Sequence, residues 1–198
     1  LVGMATHFGR LDTLQRFQHA ILRGEPVRDP RPAERWHGAD GPELRGAWLS
    51  AIELPVGRFR IPPRELASLL PQQLLMLKVA AQALDDSRGL GPGPHLRAGA
   101  VVGLGLDLET TSFHLRWLVR ERVRIYAREL GLTLTSDESA RWEAGLADAL
   151  APALDATRTL GALGGLVASR LAREFQLGGP SFAVAGEEGS GLRALQVA

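Results

Sequence analysis

The sequence predicts an α/β fold, and three kinds of pattern indicate this class. Two short apolar segments, Ala98–Gly103 and Ser181–Val184, have the length and composition of buried strands. Longer segments that repeat apolar residues every three or four positions are typical of amphipathic helices. These helical segments lie before, between and after the two strands. Because strands and helices alternate along the chain, we expect an α/β architecture.

The composition is that of an ordinary globular chain and excludes several classes of protein. Of 198 residues, 45% are hydrophobic and 23% are charged, which suffices to bury one sizeable core. The 23 Lys and Arg nearly balance the 22 Asp and Glu, so we expect no nucleic-acid partner. No apolar run is long enough to span a bilayer and no signal peptide is visible. We therefore expect a cytoplasmic protein without a membrane partner.

The chain contains no cysteine, and this absence restricts its chemistry more than any other feature. Thiolate catalysis, disulfides and zinc–thiolate or iron–sulfur sites are excluded within these residues. Asp107, Glu109 and His114 could suggest a metal site, but three such residues in eight positions are common by chance, so we expect no metal. Gly103-Leu104-Gly105 follows a strand, yet Leu108 stands where a dinucleotide fingerprint needs a third glycine.

The first half of the chain predicts a short strand and three helices. Leu1–Ala5 has the pattern of a strand end, and Asp12 is a candidate N-cap for a helix that Gly24 ends. The proline-rich stretch 24–46 predicts a long irregular segment. Arg64–Leu70 predicts a short helix. The run Gln72–Asp86, with Pro71 in its first turn, predicts a largely buried helix.

The second half predicts four more helices. Phe113–Leu130 alternates apolar residues with arginines and should end at Gly131. Ser136 or Asp137 should cap the next helix, which runs through Trp142 and Leu146. Thr157–Gln176 predicts one buried helix whose many small residues would allow close packing. The last helix is expected to begin at Leu192.

The segment 181–198 predicts a strand, a sharp turn at Ala185–Gly191 and a helix. Such a corner can hold a nucleophile or an anion, because the start of a helix presents free N–H groups and a partial positive charge. The local pattern alone favours the alternative, a plain connection between a strand and a helix.

The order of residues in this segment resembles the active-site segment of β-ketoacyl synthases. That family segment reads Gly-Pro-Ser, a short strand, a nucleophilic Cys, small hydroxylated residues, and then a helix with Leu and Ala. Four more segments of this chain resemble the family in the same order. They are Val2-Gly3-Met4-Ala5 with Phe8, Pro30–Trp36, Pro63-Arg64-Glu65 with Pro71-Gln72-Gln73-Leu74, and Ala168-Ser169-Arg170. Together they are similar to the ketosynthase-like domains of polyketide and polyunsaturated fatty acid synthases.

The resemblance implies a thiolase-like layered α/β fold. In that fold two related halves each build a sheet, and together they stack into five layers. Residues 1–198 would be the N-terminal half only, and the C-terminal half, with the family's two catalytic His and a Lys, would be absent from this chain. None of the five histidines falls on those motifs.

One position departs from the family pattern in a way that changes its chemistry. Glu188 stands where the family has its nucleophilic Cys. In the family the helix N-terminus lowers the pKa of this thiol and so makes it nucleophilic. A carboxylate is a poor acyl carrier, because a mixed anhydride forms uphill and hydrolyses easily. Condensation through a thioester at Glu188 is therefore excluded.

Three interpretations of Glu188 follow, and they leave open whether the domain is an enzyme. The first is a chain-length-factor-like partner that dimerises with an active ketosynthase and shapes its acyl tunnel. The second is an acyltransferase-type enzyme, such as the decarboxylating variants that carry Gln in place of Cys. The third is a structural interaction module in which Glu188 merely caps a helix.

The resemblance also implies the partners and the pathway. We expect no bound cofactor, since the substrate would ride on the phosphopantetheine arm of an acyl carrier protein in fatty-acid or polyketide biosynthesis. A ketosynthase dimer partner is implied as well. The arginine-rich segment Arg116–Arg128 could dock an acidic carrier protein, although a solvated face with Glu121 and Glu129 nearby is the simpler interpretation.

Overall fold

The computed structural model describes most of the chain and divides it into two compact units. The described residues are 2–32, 44–49, 51–66, 68–87, 89–91, 93–105, 108–150, 153, 155–161 and 163–198, with backbone only for 108–115, 157, 158 and 161. The first unit comprises Leu1–Ala67, Pro71–Ala100 and Val167–Phe182. The second comprises Ser68–Leu70, Val101–Leu166 and Ala183–Ala198.

Short strands are interspersed among the helices of the described chain. In order they are α1 (Leu14–Arg23), β1 (Asp29–Pro30), β2 (Arg45–Gly46), α2 (Pro63–Leu66), α3 (Pro71–Asp86), β3 (Ala100–Leu104), α4 (Leu108–Glu129), α5 (Ser136–Leu150), α6 (Ala156–Gly161), α7 (Leu166–Glu174), β4 (Ser181–Ala185), a 3₁₀ turn (Glu187–Gly189) and α8 (Ser190–Val197). β1 pairs with β2, and β3 pairs with β4. This mixture of helix and sheet is compatible with the predicted α/β class. No helix in the described part is long and apolar enough to cross a membrane.

The N-terminal segment is not a strand, contrary to the prediction for Leu1–Ala5. Residues 2–7 have no regular secondary structure, because this backbone bonds to helix α3 instead of to a strand. The N–H of Met4 donates to Asp86 Oδ2 at 2.9 Å. Gly3 lies so close to α3 that a Cβ there would come within 2.3 Å of the carbonyl oxygen of Ala83.

Helix α1 begins one residue later than its predicted cap implies. Thr13, not Asp12, is the N-cap, and its side chain accepts a hydrogen bond from the N–H of Arg16. Asp12 instead forms an ion pair with Arg16 at 2.8 Å. The predicted end is confirmed, since Gly24 adopts the left-handed conformation, with φ of 65°, that glycine tolerates best.

The predicted helix at Gln72–Asp86 is confirmed, whereas the one before it is shorter than predicted. Pro71 begins α3, and Leu77 and Ala81 bury its inner face. Helix α2 ends at Leu66 and does not reach Leu70. Leu70 precedes Pro71, and a residue before a proline disfavours helical backbone. The predicted irregular segment 24–46 and the Pro30–Trp36 motif lie partly outside the described residues.

The predicted single helix at Thr157–Gln176 is two helices. The break between α6 and α7 contains Gly164 and Gly165, and glycine is the weakest helix former after proline. Helix α7 is packed as the prediction required. Val167, Ala168 and Leu171 are buried, with Ala168 wholly inaccessible.

A partly buried ion pair ties α7 to α2 within the first unit. Arg170 Nη1 lies 2.8 Å from Glu65 Oε1, and the two side chains are only 14% and 32% exposed. The residues are 105 positions apart in the sequence, and each lies in one of the segments that resemble the ketosynthase family. The structure therefore assigns these two motifs a shared role in packing.

An α-helical hairpin forms most of the second unit. α4 begins at Leu108, five residues before the predicted start. The prediction began late because the polar first turns of this helix lack apolar periodicity. Val119 and Val123 bury its inner face. Arg116 donates to the carbonyl oxygen of Ala147 at 2.7 Å and pairs with Asp148 at 2.9 Å, so it joins α4 to α5.

Helix α5 begins with a capping box formed by Thr135 and Glu138. The hydroxyl of Thr135 accepts from the N–H of Glu138, and the Glu138 carboxylate accepts from the N–H and the hydroxyl of Thr135. The cap is therefore Thr135 and not Ser136 or Asp137, since only a residue three before a Glu can complete this exchange.

Both predicted strands are confirmed to within two residues. The segment before β4 packs closely against the segment before β3, because Gly179 has no side chain. The N–H of Gly179 donates to the carbonyl of Ala98 at 2.8 Å, and a Cβ on Gly179 would lie 2.7 Å from that same oxygen. The N–H of Ala100 donates to Pro180 O and to Ser181 Oγ, both at 3.1 Å. The Gly-Pro-Ser motif thus makes the hydrogen bonds that join the start of β4 to residues 98–100.

Breaking the Arg170–Glu65 pair should destabilise the protein. In Arg170→Met the Glu65 carboxylate keeps its partial burial and loses its cation, which should cost about 1–3 kcal/mol in the free energy of unfolding. Urea denaturation measures this loss, and Arg173→Met, an exposed arginine of the same helix, is the matched control. An equal effect of both substitutions would contradict the assignment.

The capping box predicts a pH-dependent contribution to stability. Hydrogen bonds from the backbone and the hydroxyl of Thr135 lower the pKa of Glu138 below its usual value. A lowered carboxyl pKa stabilises the fold above the unfolded value of about 4.3, and this contribution is lost as the pH falls through the folded pKa. NMR titration should show the Glu138 pKa rising in Thr135→Ala and staying low in Ser136→Ala. Because Thr135→Ala keeps the backbone N–H, the rise should be partial, and no rise would refute the contribution of the hydroxyl.

Candidate functional site

The strand-to-helix corner of the second unit is built from four consecutive pieces. β4 ends at Ala185, Gly186 follows, the 3₁₀ turn runs from Glu187 to Gly189, and α8 begins at Ser190. The corner therefore exists as predicted, but its helix begins two residues before Leu192. The two additional helical residues are Ser190, whose hydroxyl bonds to the turn, and Gly191.

The hydroxyl of Ser190 holds the corner closed. Its Oγ accepts from the N–H of Gly186 at 2.9 Å and lies 2.6 Å from the carbonyl oxygen of Glu187. The carbonyl oxygen of Leu104, at the end of β3, lies 2.8 Å away. One hydroxyl offers one proton and two lone pairs, so it can serve both the turn and β3. Ser190 is only 4% exposed, so these partners replace water.

Gly103 lets the start of α8 approach the backbone of β3. A Cβ on this residue would come within 2.5 Å of the carbonyl oxygen of Ser190 and within 2.7 Å of the N–H nitrogen of Gly191. Any larger residue would push the helix away from the strand. The glycine that suggested half of a dinucleotide fingerprint is thus explained by packing.

The turn carries a strained backbone at Glu187. Its φ of 51° lies in the left-handed region, which only one other non-glycine residue of the described chain, Gln176, enters. Such conformations cost free energy and persist where the surroundings enforce them. The hydrogen bond that Ser190 Oγ accepts from the N–H of Gly186, together with its close approach to the carbonyl oxygen of Glu187, supplies that constraint.

Glu188 follows the strained residue and lies exposed in the 3₁₀ turn, two residues before the first residue of α8. Within the described part of the chain its carboxylate has no hydrogen-bond or ion-pair partner. Gly189 is the N-cap of α8 and no side chain makes a capping bond there, so Glu188 does not cap this helix as the third interpretation required. Apart from chain neighbours and the backbone of α8, no atom lies within 4 Å of where a Cβ on Gly189 or Gly191 would sit, so there is open space there.

Comparison with known proteins identifies the family. A family model described as β-ketoacyl synthase, N-terminal domain, matches residues 1–198. The chain belongs to the β-ketoacyl synthase family. The resemblance found in the sequence is therefore confirmed, and the family implies a thiolase-like fold.

The relatives of this ketosynthase-family chain are large synthases. It is 30% identical over 195 residues to a polyunsaturated fatty acid synthase of Thraustochytrium sp., covering 93% of this chain and 9% of that protein. It is 30% identical over 115 residues to an erythronolide synthase of Saccharopolyspora erythraea, covering 57% of this chain and 4% of that one. A non-reducing polyketide synthase of Emericella nidulans is 32% identical over 96 residues, with coverages of 44% and 4%. The chain spans less than a tenth of each relative.

Within this ketosynthase-family domain, sequence reasoning singled out Glu188 but missed three neighbours that shape the corner. They are Glu187, whose backbone is strained; Ser190, whose hydroxyl closes the turn; and Arg193. The Arg193 Nε lies 3.7 Å from where a Cβ on Gly186 would be. A signal for Ser190 was available, because a small hydroxylated residue between glycines at a helix start is a frequent turn-closing element.

The candidate metal residues cannot be compared with this corner. Asp107 lies outside the described residues, as do the side chains of Glu109 and His114. Among the described side chains, no group of three or more His, Asp or Glu is placed to hold a metal ion.

Replacing Ser190 by alanine should loosen the corner. The N–H of Gly186 would lose its acceptor, at a cost of about 1–3 kcal/mol in the free energy of unfolding. Gly189→Ala is the matched control, because that residue has ordinary helical backbone and open space for a methyl group. Urea denaturation and hydrogen exchange of the Gly186 amide test this prediction. Unchanged exchange in Ser190→Ala would show that the hydroxyl does not hold the turn.

Proposed function

We propose that this domain is a non-condensing member of the β-ketoacyl synthase family, similar to the chain-length factors that pair with an active ketosynthase. The observation that carries the proposal is the absence of cysteine from a chain that the family's N-terminal domain matches from residue 1 to residue 198. The family resemblance assigns the nucleophile position to Glu188, at the corner between β4 and α8.

Chemistry at the corner supports a role without an acyl-enzyme. Condensation in the family needs a thiolate that accepts an acyl group and later releases it. Glu187 and Glu188 are both exposed carboxylates, and neither forms a stable acyl adduct in water. The domain would then act by shaping the acyl tunnel of an active ketosynthase and by binding its partners. Its proposed partners are an active ketosynthase and an acyl carrier protein that presents the chain on a phosphopantetheine arm, in a cytoplasmic synthase.

A malonyl decarboxylase is the second candidate function. The exposed, unpaired carboxylate of Glu188 leaves the corner accessible to a substrate, and the decarboxylating relatives carry Gln, which has nearly the same shape. Two adjacent negative charges would repel the malonyl carboxylate, however, so this candidate ranks second.

The proposed role is tested with the whole protein that carries this domain. Incubated with malonyl-carrier protein, it should release no carbon dioxide above the level of its Glu188→Ala variant. Mixed with an active ketosynthase of the same synthase, it should bind tightly and change the length of the acyl product. Carbon dioxide release that disappears in Glu188→Ala would refute the proposal in favour of a decarboxylase. Failure to bind any ketosynthase or carrier would leave only the interaction module.

A cysteine introduced at position 188 tests whether the corner has the electrostatics of a nucleophile site. The chain is free of other thiols, so alkylation by iodoacetamide reports on one residue. In a Glu187→Gln background, the thiol of Glu188→Cys should have a pKa below the ordinary value of about 8.5, because of the helix N-terminus. Gln196→Cys, exposed near the other end of α8, is the control and should not show this lowering. Equal thiol pKa values would refute the assignment.

A further inference from the structure

A cavity within the first unit is lined by residues that the proposed function does not use. One side of it is a face of α3 that carries Lys78, Ala81, Gln82 and Asp85, which are spaced by three, four and seven residues. The other side comes from the segment 53–59, and we call the space between them the α3 cavity. Its volume is about 420 Å³, near the lower end of the range of about 300–1,000 Å³ for small-molecule sites. The α3 cavity therefore suits a small ligand.

Part of the cavity wall is apolar. Phe59 and Ala81 both line it and are only 7% and 5% exposed. A turn places the aromatic ring: the N–H of Arg58 donates to the carbonyl oxygen of Pro55 at 3.2 Å, and Gly57 supplies the positive φ of 79° that this turn needs. Because Ala81 has only a methyl group, α3 leaves space there for an apolar group of a ligand.

The charged residues of the lining leave one cation and one carboxylate without a partner. Two cations, Arg58 and Lys78, and two carboxylates, Glu53 and Asp85, line the cavity, so their charges sum to zero. Arg58 Nη2 lies 2.6 Å from Asp85 Oδ1, and these two neutralise each other. Neither the half-buried Lys78 nor the exposed Glu53 makes an ion pair or hydrogen bond within the described part of the chain. The cavity therefore offers a ligand one charge of each sign.

Lys78 is the only lysine among the 198 residues, and its charge acts beyond the cavity. Burial lowers the pKa of the His7 imidazole, and the Lys78 ammonium lowers it further. A smaller effect of Asp12 opposes this decrease. The charge of Lys78 is therefore not cancelled by its surroundings, and His7 reports on it.

We propose that the α3 cavity binds a small zwitterion with an apolar body, of the chemical class of the apolar α-amino acids. The ligand carboxylate would accept from the Lys78 ammonium, a compact and mobile charge, and the ligand ammonium would donate to Glu53. Its apolar side chain would cover Phe59 and Ala81. A ligand with a single charge would leave one of the two protein charges without a partner. This inference is independent of the role of Glu188.

Calorimetric titration of the full chain with free amino acids tests the proposal. The probes are L-leucine and L-phenylalanine, and at least one of them should bind saturably at one site. Isocaproate and isoamylamine have the apolar body of leucine but only one of its two charges, and each should bind at least about tenfold more weakly than leucine. Glycine, which lacks the apolar body, should also bind more weakly. Saturable binding of neither amino acid, or equal binding of a singly charged probe, would overturn the proposal.

Variants locate the site. Lys78→Met and Glu53→Gln should each weaken binding of the amino acid by at least about tenfold. Ala81→Leu should abolish binding, because the larger side chain fills the space beside Phe59. Glu121→Gln, which changes an exposed carboxylate outside the cavity lining, is the matched control and should leave binding unchanged. If Ala81→Leu fails circular dichroism as a check of folding, the exposed Glu53→Gln still decides. Equal effects of Glu53→Gln and Glu121→Gln would refute the cavity as the site.

The imidazole of His7 shows which protein charge the ligand carboxylate meets. When the amino acid binds, the pKa of His7 measured by NMR should rise, because the carboxylate offsets the charge of Lys78. In Lys78→Met the pKa of His7 should be raised already in the free protein, and the amino acid should not change it further. Binding to the unmodified chain without a rise in the His7 pKa would place the carboxylate away from Lys78 and overturn the proposal.

Discussion

The corner that carries the candidate site depends on the hydroxyl of Ser190. This one group contacts the end of β3, the residue after β4 and the first residue of the 3₁₀ turn. It can do so only because Gly103 has no side chain and lets α8 approach the strand backbone. The strained φ of Glu187 and the exposure of Glu188 both follow from this arrangement. A small polar contact therefore sets the conformation of the turn that carries Glu187 and Glu188.

The same corner separates two properties that an active family member would combine. One is the position at a helix start that favours negative charge, and the other is a group that can carry an acyl chain. In the proposed role, this chain keeps the first property, and Glu188 offers a carboxylate in place of the second. The chain belongs to the β-ketoacyl synthase family and is similar to parts of a polyunsaturated fatty acid synthase and an erythronolide synthase. The specific contribution of Glu188 belongs to the proposed partner role.

Local patterns in the sequence were sufficient for most elements and insufficient for contacts between distant residues. Helix α3 and both strands followed from apolar patterning, which burial enforces directly. The end of α2 and the break before α7 were misjudged, because glycine and the residue before a proline weaken helices that apolar spacing still suggests. Thr13 was missed as a cap because the adjacent Asp12 is an equally good capping residue and only the backbone geometry decides. Thr135 was missed although its spacing from Glu138 is that of a capping box. The Arg170–Glu65 pair had no local signal, since 105 residues separate its members.

The first unit is assembled from three stretches of sequence, the last of which is Val167–Phe182. During translation, α2 and α3 leave the ribosome well before Arg170 and the buried face of α7 exist. Closing a loop of this length is costly, and the rest of the unit must wait for it with apolar surface uncovered. The residues between Val101 and Leu166 are synthesised during that wait and belong to the second unit. During synthesis, the apolar surface of the first unit is therefore open to a chaperone until α7 has been made and covers it.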